Sequence, residues 1–83
     1  MDSTIMLLCN YGLQILLVGL SGGTRLKDVL NSICNRWKNL SVSRFSISYM
    51  LDYGYCTLEN EDDFDNMLFL FSSCDRINAK VDE

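Results

Sequence analysis

The chain has 83 residues, 48% of them apolar and 22% charged, a formal net charge of −4, four cysteines and no histidine. That length makes one domain whose core covers only about 60% of the unfolded surface, and the composition is not that of a disordered chain. The acidic balance argues against direct binding to nucleic acid or an anionic membrane. The lack of histidine, with Cys9, Cys34, Cys56 and Cys74 far apart, excludes a CxxC zinc site and a Cys–His nucleophile.

Ile5 to Tyr11 reads as a strand, with Ile5, Leu7, Cys9 and Tyr11 on one face and Met6, Leu8 and Asn10 on the other. Gly12 is the turn residue, and Gln14 to Gly19 returns as a second, branched-residue strand. The run from Ile5 to Leu20 is apolar. However, Asp2 precedes it where a signal peptide carries basic residues, polar residues interrupt it, and it is too short to span ~30 Å of hydrocarbon as a helix. A soluble intracellular protein, cytoplasmic or nuclear, is expected. After Ser21-Gly22-Gly23, Thr24 is the expected N-cap of a helix. The apolar stripe of that helix is Leu26, Val29, Leu30, Ile33, Cys34 and Trp37. Ser21 to Thr24 lacks the Gly-Lys-Ser/Thr ending of a phosphate loop and reads as turn chemistry.

Asn39 to Ser43 reads as a loop. Phe45, Ile47 and Tyr49 alternate with serines as a half-buried strand, Asp52-Tyr53-Gly54 turns the chain, and Tyr55 to Leu58 is a short strand. Asn60 is the expected cap of a second helix, with Asp63 at its N3 position. Phe64, Met67, Leu68 and Phe71 form the buried stripe of that helix, which is expected to end near Cys74. Ile77, Ala79 and Val81 alternate as a last strand. The cysteines all fall in apolar or amphipathic patterns and read as small buried hydrophobes. The order β-β-α-β-β-α-β predicts an α+β fold, a ubiquitin-like β-grasp roll with a mixed sheet and two helices. A ferredoxin-like βαββαβ fold is the rival, and the two strands around Gly12 argue against it.

The densest chemistry lies at the second helix. Glu59, Glu61, Asp62, Asp63 and Asp65 fall close together, and Asp52 precedes them. Acids in a first helical turn complement the helix dipole by ~0.3–1 kcal/mol each, but Glu59 and Asp65 fall outside that turn, and such a cluster repels itself. The series Phe45-x-Ile47-x-Tyr49, Gly54, then Thr57-Leu58-x-Asn60-Glu61-Asp62-Asp63-Phe64-x-x-Met67-Leu68 resembles the acidic OPCA segment of Phox-and-Bem (PB-one) domains. The likeness is nearest to the PB-one-like domain of plant Mutator-type (MuDR-like) transposases. In topology it covers the whole chain, and in specific residues the segment from Phe45 to Met67-Leu68.

The resemblance implies a protein-interaction module that docks an acidic face onto a basic patch of a partner, which can be another PB-one-like domain. The residues carried over are Asp52, Glu59, Glu61, Asp62, Asp63 and Asp65. Tyr53 and Tyr55, which stand where the family often places acids, are added as rim aromatics that can anchor an interface. The first strand has no lysine or arginine, so the family's basic patch is missing and head-to-tail self-polymerisation is not expected. If the parent protein is transposase-related, DNA cleavage is not expected of this domain.

Two other surfaces compete with the acidic one. One is the exposed sheet face around Met6, Leu8 and Leu16, which predicts salt-insensitive binding. The other is a basic strip of Arg25, Lys27, Arg36 and Lys38 on the first helix, the only route to nucleic-acid contact. No enzyme is expected and no cofactor or metal is implied, because no side chain that could act as a base lies beside a nucleophile and the paired carboxylates sit at a helix start.

Overall fold

Gly12 and Leu13 form a two-residue loop between Tyr11 and Gln14. Gly12 holds φ at +61°, which suits glycine at the first central position of a type II′ hairpin turn. The computed structural model describes residues 4–83. Met1 to Ser3, the start of the single domain read from the sequence, lie outside the described residues. The elements follow the expected order: β1 (Ile5–Tyr11), β2 (Gln14–Leu20), α1 (Leu26–Arg36), β3 (Ser46–Leu51), β4 (Gly54–Thr57), α2 (Glu61–Leu70) and β5 (Arg76–Asp82). The sheet order is β2-β1-β5-β3-β4. β1 and β5 run parallel at its centre, and the remaining neighbours are antiparallel. This is an α+β fold, a ubiquitin-like β-grasp arrangement with two helices on one face of a mixed sheet. The second strand ahead of α1 rules out the ferredoxin-like order.

The inward faces follow the period-2 pattern. Leu7 and Cys9 of β1, Ile47 and Tyr49 of β3, and Ile77, Ala79 and Val81 of β5 join Leu26, Val29 and Ile33 of α1 and Phe64 and Met67 of α2 in one core. Leu7, Cys9, Val29, Ile33, Phe64 and Met67 have no exposed surface. The larger of these side chains contribute roughly 1.5–3 kcal/mol each by burial. Trp37 is buried as expected, and its indole Nε1–H donates to Gln14 Oε1 at 2.9 Å, pinning the start of β2 to the end of α1.

Several local expectations change. The N-cap of α1 is Arg25, one residue later than expected. The Thr24 hydroxyl instead accepts from the Ser21 N–H at 3.0 Å, closing the turn before the helix. The segment expected as a loop contains a 3-10 turn, Lys38–Ser41, because Leu40 inserts into the core. α2 stops at Leu70, where the Phe71 N–H reaches back to the Met67 carbonyl and Ser72 and Ser73 leave the helix. In the β3–β4 turn Asp52, not Gly54, takes the left-handed conformation, with φ at +54°. Asp enters this region more readily than most residues other than glycine. Of the four cysteines, all free, Cys9 is buried, Cys34 and Cys56 are half-buried and Cys74 is exposed.

Candidate functional site

α2 begins at Glu61 because Asn60 caps it. The Asn60 side-chain oxygen accepts from the Asp63 N–H at 2.9 Å, and Asp63 Oδ2 accepts from the Glu59 N–H at 2.9 Å. The first bond satisfies one amide that the first turn leaves unpaired, and the second ties down the residue before the cap, one position earlier than the capping box expected from the sequence. Asp63 is therefore a structural carboxylate.

Glu61 is also occupied. Its Oε1 accepts from the Leu26 N–H at 3.0 Å, and its Oε2 from the Lys27 N–H at 3.3 Å. Both amides belong to the first turn of α1. Arg25 cannot accept a hydrogen bond, so α1 lacks the side-chain cap that Ser, Thr or Asp would supply. Asp28 satisfies the Arg25 N–H at 2.9 Å, the Arg25 carbonyl takes the Asp28 N–H at 3.0 Å, and Glu61 of the second helix takes the two amides between them. A carboxylate at that end also complements the α1 dipole. No signal in the sequence pointed to this contact, because Thr24 reads as an ordinary cap and only the fold puts Arg25 in its place.

The remaining predicted acids divide into two groups. Glu59, Asp62 and Asp65 are exposed at the start of α2, and among the described residues their carboxylates make no hydrogen bond or ion pair. Asp52 is exposed at the far end of the hairpin. The stretch from Gly54 to Glu59 spans about 17 Å at ~3.3 Å per residue, so Asp52 and the helix start are two separate points of negative charge. Tyr53 is wholly exposed at the hairpin tip beside Asp52. Tyr55 turns away from both groups. It pairs with Met50 on the open sheet face, where the Lys80 ammonium lies 4.3 Å from its ring centroid. The one ion pair among the described residues is Lys80–Asp82, at 3.4 Å on β5.

The open sheet face is also corrected. Leu16 is directed at the core, while Ile15 and Leu17 face outward with 55% and 59% of their surface exposed. The register places Leu17 beside Leu8 and Gly19 beside Met6. Arg25, Lys27, Arg36 and Lys38 are all exposed on or beside α1, and Arg36 also stacks over Trp37 at 5.6 Å. Among the described residues no group of three metal-ligating side chains converges and no pocket opens. Among the described residues no helix is long and apolar enough to cross a membrane.

A scan of protein-family models and a search of curated proteins each find no match to the chain.

Proposed function

We propose that this chain is a protein-interaction module of the PB-one type, acting inside the cell and not as an enzyme, which docks its acidic edge onto a basic partner surface. One observation carries the reading. After Asp63 and Glu61 are used as helix caps, Glu59, Asp62 and Asp65 remain exposed and unpaired among the described residues. Unpaired like charges at one helix start cost stability through self-repulsion, which a basic partner relieves. Asp52 and Tyr53 form a second, outlying contact point. Another PB-one-like domain offering a basic patch fits this chemistry, and a transposase-derived plant protein is the parent that the resemblance suggests. Exposed pairs contribute ~0.2–1 kcal/mol each, and screening over a Debye length of ~8 Å at physiological salt makes binding salt-sensitive.

The test keeps Glu61 and Asp63 intact, since losing them disturbs the fold. Partners captured at low salt by the wild-type chain are compared with those captured by the Glu59→Gln, Asp62→Asn, Asp65→Asn variant. Loss of the same partners in the variant and in high salt is expected. Partners that persist through both treatments would point to the open sheet face around Leu8, Ile15 and Leu17 and overturn the acidic reading.

A further inference from the structure

We infer that β2 is a self-pairing edge. Two copies of the chain join β2 to β2 in antiparallel fashion about a two-fold axis through Leu17, extending each five-stranded sheet into the other. This rests on a different surface from the acidic edge and holds independently of it.

Among the described residues β2 has one sheet neighbour, β1. The type II′ hairpin makes Tyr11 and Gln14 a hydrogen-bonded pair, and hydrogen-bonded and non-bonded pairs then alternate along the ladder. The register runs from Tyr11↔Gln14 to Ile5↔Leu20 without a bulge. The N–H and C=O groups of Ile15, Leu17 and Gly19 therefore point away from β1 at a free edge. Natural sheets guard such edges with charges, prolines, bulges or shortness. β2 has none of these: it is seven residues long, QILLVGL, and uncharged.

A second copy fits this edge in particular. With the axis through Leu17, Leu17 meets its own equivalent and Ile15 of each copy lies opposite Gly19 of the other. Residues of one parity pair, so the open faces of both sheets stay on one side. Gly19 has no side chain of its own to oppose Ile15, and the Thr4 methyl and the Met6 sulfur flank it, 3.4 and 3.9 Å from where a Cβ would stand. Ile15 of the second copy then packs on that thioether. About six hydrogen bonds close the ladder, two at each of the three pairs. Charge permits the approach. β2 itself carries no charge, and Asp52 and Glu59, which flank β4, lie about 19 Å away across four strand spacings of ~4.8 Å. Two chains of net charge −4 thus meet at their neutral edges.

Sedimentation velocity of the reduced chain over a concentration series tests the proposal. The wild type is expected to pass from monomer to dimer. Leu17→Lys and Leu17→Glu, at a half-exposed position, are each expected to weaken self-association about tenfold or more by opposing like charges across the axis. An equimolar mixture of the two is expected to restore the dimer. Amide exchange provides an independent check if either variant folds poorly: the Ile15, Leu17 and Gly19 amides gain protection as wild-type concentration rises. A monomer up to about 1 mM, a dimer that survives both substitutions, a mixture of two folded variants that fails to pair, or unchanged exchange at those amides overturns the inference. So does a dimer that dissolves in the Asp62→Asn, Asp65→Asn variant.

Discussion

β2 and β4 both end the sheet, but they end it differently. β2 is seven residues long, uncharged, and displays Ile15 and Leu17 to solvent. β4 is four residues long, starts at Gly54, and is bracketed by Asp52 and Glu59. Short length and flanking charge are how proteins blunt an edge against indiscriminate pairing. The β4 side is therefore blunted against strand addition and flanked by charge, whereas the β2 side displays backbone and apolar side chains.

The comparison breaks most completely if the shared core is removed. Phe64 is wholly buried, and Phe64→Ala is expected to cost about 3–5 kcal/mol. Urea unfolding would show this, with acidic binding and self-association lost together. Loss of one alone would mean that the two edges fold separately.

A smaller effect divides the acidic group itself. Glu61→Ala frees the Leu26 and Lys27 amides of α1 and is expected to cost about 1–2 kcal/mol, whereas Asp62→Ala should change stability by less than about 0.5 kcal/mol. Equal midpoints for the two variants would remove the distinction between capping and exposed carboxylates.

On the β2 side, Cys9 lies opposite Leu16 of β2, and burial pushes its thiol from the ordinary 9.0 up to about 12. The unfolded chain therefore loses this proton first. The stability tied to Cys9 is complete below pH 9 and declines as pH rises toward 12, by up to ~1.4 kcal/mol per pH unit. Cys9→Ala should show a shallower alkaline loss than wild type in parallel urea titrations, since the other titrating groups are common to both.

The smallest effect on stability, and the sharpest on binding, is expected at Asp62 and Asp65. Asp62→Asn with Asp65→Asn leaves the melting midpoint nearly unchanged and weakens partner capture by about 0.4–2 kcal/mol, the sum for two exposed pairs. A partner held as tightly by this variant would leave the β4 side with no role.

Much of this architecture was legible without coordinates. Alternation in β1, β3 and β5 and the 3.6-residue stripes of both helices reflect which side chains must leave water, and that requirement is local. The places that misled have local causes too. Thr24 is a good capping residue, but its hydroxyl closes the preceding turn. The serine-rich stretch after Lys38 conceals Leu40, a single apolar residue with no periodicity around it. Leu16 lies in an unbroken apolar run, where neither face of β2 stands out until β1 fixes the register.

Sequence alone therefore determined the elements, their order and the sign of the charge near α2, because propensity, period and composition act within a few residues of one another. Tertiary structure decided how each carboxylate is used. Glu61 becomes a cap only when the start of α1, far away in the chain, is brought against it, and Asp52 is set apart from the other acids only once β4 is laid out straight between them. It also decided that β2, and not a charged strand, stands at the unguarded edge. Strand order depends on contacts between distant segments, and no window of the sequence contains both partners.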